Sequence, residues 1–233
     1  MTPLDLAVII PTYNEGIVAK LVVEEWFKAL RNLEIPKFTL FLIDDGSTDD
    51  TAKIVSSAKV PKENLIVCRK PNSGHGRSCI WGYAKALSLN PKWILQIDSD
   101  FQCDPKYFKK FWLSKKDHEV IYGFRKTRED GISRLIISRI ISIFVFLSTF
   151  KYCRDPNVPY RMFSKNALSK VIEKTYEIEL SNMLLTYRVI SNNKIFWVDI
   201  NFRDRMQGKS THKLRKAISS LIELIWTVIH DKE

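Results

Sequence analysis

The sequence predicts an α/β fold, a mostly parallel sheet flanked by helices, from three observations. Through the first hundred residues, short β-rich runs alternate with segments of helical period. The β-rich runs are nearly continuous in apolar character, as parallel strands covered on both faces are. The residues just after each run are polar and chemically loaded, and in open α/β sheets ligands bind beyond the carboxyl ends of the strands.

The elements follow in order. Leu6 to Ile10 reads as the first buried strand; Pro11 cuts the run short, and no basic leader or small-residue cleavage site precedes it. Further strands are expected at Phe38 to Ile43, Leu65 to Val67, Trp93 to Ile97, Val120 to Gly123 and Ile195 to Phe202. Helices are expected at Gly16 to Asn32, Thr48 to Lys59, Arg77 to Asn90, Pro105 to Lys116, Ile132 to Phe150 and Glu179 to Asn192, with Ser47 and Asp50 as a capping box for the second. The 233 residues form one domain on this reading, with two halves, residues 1–104 and the basic residues 105–233.

The charge is divided between these halves. Of 37 Lys+Arg and 26 Asp+Glu, residues 1–104 hold 12 and 13, a balance of −1, and the remainder carries +12. A basic half implies a partner bearing phosphate. No nucleic-acid motif accompanies the charge, so nucleic acid is not the expected partner. Cys68, Cys79, Cys103 and Cys153 lie far apart without metal-ligand spacing, which excludes a zinc site or a disulfide framework as the organising feature. No run reaches the roughly 18 uncharged apolar residues of a spanning helix. The segments 132–150 and 212–230 are instead apolar helices flanked by basic residues, suited to the core or to a membrane interface.

Four strand ends carry chemistry: Pro11-Thr-Tyr-Asn-Glu15, Asp44-Asp-Gly-Ser-Thr-Asp49, Asn72-Ser-Gly-His-Gly-Arg77 and Asp98-Ser-Asp-Phe-Gln102. Residues i and i+2 of an extended chain project to one side, so Asp98 and Asp100 can face one cation. Two carboxylates plus substrate phosphates are the usual holders of Mg²⁺ or Mn²⁺. Asp44 and Asp45 lead into a turn, where Asp, Gly and Ser are also expected for purely structural reasons. Gly74 and Gly76 let backbone N–H groups approach a ligand at a helix start, without the full spacing of a phosphate loop or a dinucleotide fold.

In this order and register, these motifs and the run Asp98-Ser-Asp-Phe-Gln-Cys-Asp-Pro105 resemble family 2 glycosyltransferases. The resemblance implies a GT-A fold, inverting chemistry, a nucleotide diphosphate sugar donor of GDP-mannose or UDP-glucose type, and Mg²⁺ or Mn²⁺. It further implies that Pro11, Tyr13, Glu15, Asp44, Asp45, Gly74 and Ser99 contact the donor, and that Asp98, Asp100 and Gln102 hold metal and diphosphate. Tyr122-Gly-Phe-Arg125, Arg134-Leu-Ile-Ile-Ser138, Pro159-Tyr-Arg161 and Arg205-Met-Gln-Gly-Lys-Ser210 are similar to the polyprenyl-phosphate branch of that family. This branch includes dolichol-phosphate mannose synthase. It implies Arg125, Arg134, Ser138, Arg161 and Ser210 for the acceptor phosphate, with Arg205 and Arg161 closing over the diphosphates and Arg125 and Arg205 joining Asp98 and Asp100 in catalysis. Ser78 departs from the alanine usual after the glycine motif, and the transmembrane helices of many relatives are missing, which leaves room for a separate membrane-anchoring subunit.

A polyprenyl phosphate is a monoester with a second pKa of about 6, so near neutral pH its oxygen is already an anionic nucleophile and no general base is needed. The expected reaction is hexose transfer to that phosphate, by a cytoplasmic protein peripheral at the membrane's cytoplasmic face. A hydroxyl acceptor would instead require a base, for which Glu177, Glu179 and Asp155 are candidates. A non-catalytic binding module is the remaining alternative, disfavoured by the presence of both Asp98 and Asp100.

Overall fold

The computed structural model describes residues 3–126, 132–172, 178, 180–206 and 214–230, and the side chains of 132–138, 141 and 214–221 are outside that description. Seven strands form one sheet in the order β3-β2-β1-β4-β6-β5-β7, where β1 is Leu6–Thr12, β2 Phe38–Asp44, β3 Leu65–Arg69, β4 Trp93–Gln96, β5 Val120–Arg125, β6 Arg161–Ser164 and β7 Phe196–Ile200. Only β6 runs against its neighbours, pairing antiparallel with both β4 and β5. The expected α/β fold with a mostly parallel sheet is therefore the observed one.

The helices are α1 (Gly16–Asn32), α2 (Thr51–Ser56), α3 (His75–Leu87), α4 (Phe108–Ser114), α5 (Ile132–Thr149), α6 (Lys165–Ile172), α7 (Ser181–Asn192) and α8 (Leu214–His230). All seven residues of β1 and of β2 are buried, which explains why neither shows the alternation of a half-exposed strand. Along α1 the apolar positions Val18, Val22, Val23, Trp26 and Leu30 recur at helical spacing and turn one face onto the sheet. Trp26 is fully buried between Phe108 and Tyr160, and its indole N–H donates to the carbonyl of Cys103 at 3.3 Å. It thereby anchors the loop that follows β4 to α1.

A second apolar cluster joins Val145 of α5, Met183, Leu184, Tyr187 and Ile190 of α7, and Leu224 and Val228 of α8. On the opposite faces, Ile143, Phe146 and Leu147 of α5 and Ile222, Trp226 and Ile229 of α8 are exposed. These helices thus pack by one face and leave a second apolar face to solvent.

Several boundaries differ from expectation. β1 continues through Pro11 to Thr12, because a proline without an N–H is accommodated at the end of a parallel strand. The strand β6 and helix α6 have no counterpart in the sequence reading, since four residues of Arg-Met-Phe-Ser show too short a pattern to register. α2 is shorter than expected and the capping box does not form. Ser47 Oγ accepts from the Asn14 N–H (2.9 Å), and Asp49 Oδ1 takes the Thr51 N–H (3.0 Å). The four cysteines are all free.

Trp26→Ala is expected to lower stability to denaturant by about 3–5 kcal/mol through cavity formation. Trp26→Phe, which keeps most of the ring but orphans the Cys103 carbonyl, is expected to lose less, about 1–3 kcal/mol.

Candidate active site

The carboxyl ends of β1, β2 and β4 lie side by side, with Thr12 opposite Asp44 and Ile9 opposite Gln96, so the loops that follow them meet over one crevice. Asn14, in a left-handed conformation (φ 54°), accepts the Thr48 N–H on Oδ1 at 2.9 Å and so ties the first loop to the second. Ser99 Oγ donates to Glu15 Oε2 at 2.7 Å and ties the first to the fourth.

Asp45 joins the second loop to the third. Its carboxylate accepts from Lys70 Nζ, from the Ser73 N–H (2.9 Å) and from the Gly74 N–H (2.8 Å). Burial alone would raise this carboxyl, but the donors from Lys70, Ser73 and Ser78 outweigh it and hold it below the usual range. Gly74 has φ 92°, open to glycine but strained for other residues, and it opens α3 with its N–H turned onto Asp45. Asp45, assigned by resemblance to the nucleotide, thus also shapes the glycine loop. Asp44 is held beside it, with Oδ1 accepting the Ser47 N–H at 2.8 Å and Arg69 Nε 3.6 Å from Oδ2.

Asp98 and Asp100 follow β4, as expected. Asp98 is a quarter exposed, whereas Asp100 is almost fully buried. Asp100 Oδ1 accepts the Gln102 N–H at 3.1 Å, and Oδ2 pairs with Arg205 Nη2 at 3.0 Å. Burial, then the charge of Asp98, raises the Asp100 carboxyl to about 6; Arg205 and the Gln102 N–H pull it back and Glu15 adds to the rise. A divalent cation suits this donor set. It would relieve the repulsion among carboxylates, with Asp98 and Asp100 as protein ligands and substrate oxygens completing the sphere. Among the described residues no group of three His, Cys, Asp or Glu is placed to form a metal cage.

Arg161 is fully buried: its Nε donates to the Val158 carbonyl (2.8 Å) and Nη1 to the Asn182 carbonyl (3.2 Å), with the guanidinium 5.3 Å from the Tyr122 ring centroid. It lies in the layer beneath the crevice, with its guanidinium turned to these carbonyls and to the Tyr122 ring. Gln102 donates its backbone N–H to Asp100, while its Nε2 donates to the Arg203 carbonyl at 3.4 Å. Pro11 is buried inside β1, and the exposed residues of that loop begin at Tyr13.

Arg125 ends β5 on the same side of the sheet, where Nε and Nη2 bind Asp155 at 2.8 and 3.0 Å. The side chains of Arg134 and Ser138 lie outside the described residues, as do Ser210, Glu177 and Glu179. Lys70, Asn14 and Arg203 were not singled out by the sequence. Arg203 binds Asp104 (2.8 Å) and Glu25 (2.9 Å), and the first of these carboxylates belongs to the same strand-four motif.

The raised Asp100 carboxyl fixes a sign. Between pH 4 and 6 the folded protein holds a proton there that the unfolded chain has released, so without cation its stability falls as pH rises through this window. Asp100→Asn removes that charge. It is expected to exceed the parent in stability at pH 8 by about 1–3 kcal/mol, the difference closing toward pH 4, as read by denaturant titration at several pH values.

The sequence profile of Glycosyl transferase family 2 matches residues 7–197. An undecaprenyl-phosphate 4-deoxy-4-formamido-L-arabinose transferase from Photorhabdus laumondii is 25% identical over 222 residues, covering 94% of this chain. The chain spans 66% of that protein's length. An uncharacterized protein from Methanocaldococcus jannaschii is 31% identical over 173 residues, 69% of this chain and 72% of its own. Among solved structures, glucosyl-3-phosphoglycerate synthase from Mycobacterium tuberculosis in complex with phosphoglyceric acid superposes with a TM-score of 0.67 at 16% identity, over 95% of this chain and 80% of its own. The same enzyme in complex with Mn²⁺, UDP and glucosyl-3-phosphoglycerate gives 0.63 at 16% identity, over 97% and 77%. Both share the GT-A architecture of the present sheet. By the extent of the profile match, the chain belongs to Glycosyl transferase family 2.

Proposed function

We propose that this protein transfers a hexose, with inversion and with a divalent cation, from a nucleotide diphosphate sugar to a polyprenyl phosphate. The observation that carries the reading is the arrangement at the ends of β4 and β5. An acidic pair suited to a cation and a diphosphate stands at one, and an arginine locked in place by a bidentate carboxylate at the other. The relative named for undecaprenyl phosphate supports the acceptor class, and the neighbour solved with Mn²⁺ and UDP supports the donor and cation classes.

In this reading Tyr13, Glu15 and the loop held by Asp45 form the nucleotide end of the crevice. Asp98 and Asp100 would hold the cation, which supplies charge stabilisation to the departing diphosphate. Arg125 orients the acceptor phosphate, whose oxygen attacks the anomeric carbon as the bond to the diphosphate oxygen breaks on the opposite face. That oxygen is already ionised, so no proton needs to be removed. Asp155, the described candidate for a base toward a hydroxyl acceptor, is fully buried against Arg125, which disfavours that alternative.

No helix among the described residues is long and apolar enough to cross a membrane. The exposed faces of α5 and α8, together with Phe150 (84% exposed) and Tyr152 beside Lys151, suit a helix pair lying in the interface of an anionic bilayer. Such docking would bring the lipid phosphate to the crevice from the membrane side. The whole chain is read as a single catalytic domain in which residues 105–233 serve the acceptor.

Radiolabelled UDP- and GDP-sugars offered with a short polyprenyl phosphate in detergent should give labelled lipid with Mg²⁺ or Mn²⁺ and none with EDTA. Asp100→Ala should lower kcat by about 10²–10³-fold. Transfer that survives EDTA would remove the cation from the reading, and donor hydrolysis without lipid product would remove the acceptor. In vesicle sedimentation, Leu147→Glu with Trp226→Glu should weaken binding to phosphatidylglycerol-rich vesicles at least about 10-fold; undiminished binding would exclude these faces as the docking surface.

A further inference from the structure

A buried polar layer lies directly beneath the acidic pair, and one of its members, Gln96, shares an oxygen atom of Asp98 with the half-exposed His75. Gln96 sits two residues before Asp98 and is wholly buried, an amide in the otherwise apolar run Trp-Ile-Leu-Gln-Ile. Residues i and i+2 share a face at a strand end, and a buried amide is costly without partners. Its Oε1 lies 3.1 Å from the hydroxyl of Tyr83, also wholly buried, and its Nε2 lies 3.3 Å from Asp98 Oδ1. A carboxylate only accepts, so it fixes the amide with Nε2 toward Asp98; the Tyr83 hydroxyl then donates to Oε1 and stabilises the same orientation.

His75, in the first turn of α3, approaches the same atom from the other side, with Nε2 3.4 Å from Asp98 Oδ1. That nitrogen is also 3.6 Å from Cys79 Sγ, one helical turn along, and Cys79 Sγ accepts from Asn182 Nδ2 at 3.4 Å. The carboxylate is the stronger of the two acceptors, and the thiol steadies the ring. Behind Gln96, Arg161 is its register partner on β6, and Arg161 Nη2 is buried without a hydrogen-bond partner in the described structure. A fixed positive charge therefore underlies the layer. Asp100 differs, since it is met by a loop N–H and by the half-exposed Arg205.

We propose that Gln96, held by Tyr83, and His75 are positioning residues that commit Oδ1 of Asp98 to the protein, leaving Oδ2 as its one oxygen for the cation and the donor diphosphate. This rests on the cation-dependent reading above. The consequence is preorganisation: the rotamer of the exposed aspartate is set from inside the sheet before substrate arrives. Without those donors the carboxylate could rotate, and part of the cation's binding energy would go into fixing it.

The test uses the full chain and Mn²⁺ as the probe, with UDP or GDP present. Free Mn²⁺ is counted by electron paramagnetic resonance, and thermal midpoints are recorded in parallel. Gln96→Met should weaken Mn²⁺ binding about 10–100-fold with a cooperative thermal transition retained. Tyr83→Phe and His75→Asn should each cost several-fold in the same direction, and Tyr83→Phe should add nothing in the Gln96→Met background, because it acts through the amide. Unchanged Mn²⁺ affinity in folded Gln96→Met and His75→Asn, or full additivity of the Tyr83 and Gln96 changes, would overturn the positioning role while the cation reading stood. Absence of Mn²⁺ binding by the parent with either nucleotide would overturn both.

Discussion

Asp98 and Asp100 follow β4, and burial of the second, with the charge of Asp98 near it, raises its carboxyl to about 6. Gathering like charges in a low-dielectric crevice opposes folding and is stable only with compensation. Much of the surrounding architecture is that compensation. Arg205 pairs with Asp100, the Gln102 N–H caps its other oxygen, Gln96 donates to Asp98, and His75 Nε2 stands 3.4 Å from the same Asp98 oxygen. In the proposed function, the charge that remains is what a divalent cation and a diphosphate would meet.

A second hub, the carboxylate of Asp45, does structural work for the same crevice. Through Lys70 and the N–H groups of Ser73 and Gly74 it fixes a loop that has left-handed backbone at Gly74 and would otherwise lack partners. Asn14 and Ser99 stitch the neighbouring loops across the strand ends. The loops after β1, β2 and β4 are thus cross-linked to one another. The end of β5 is built differently, from Arg125 and Asp155, and α5 and α8 keep apolar outer faces. In the proposed function the first region would take a small polar donor and the second a lipid.

The first half of the fold was legible because it follows local rules. Buried parallel strands give continuous apolar runs, α1 gives a helical period, and ligand-bearing loops follow the strand ends. Legibility failed where a short element depends on its neighbours. β6 is four residues long and is a strand because β4 and β5 flank it, a fact that its own sequence does not carry. Arg161 shows the same limit at the level of a side chain. The Pro159-Tyr-Arg161 resemblance assigned it to phosphate, and only the fold reveals that a central antiparallel strand buries it against Tyr122 and backbone carbonyls.

By itself the sequence determined which residues stand at each strand end, and thus the acidic pair, the glycine turn and the family they signal, because those depend on spacing along one strand and its loop. The tertiary structure alone decided which of these groups are joined and which are left for substrate. Lys70 meets Asp45 from 25 positions away, Ser99 meets Glu15 from 84, and Arg203 reaches back 178 to Glu25. Charge compensation acts through space over a few ångströms, and only the folded sheet brings such distant positions within that range.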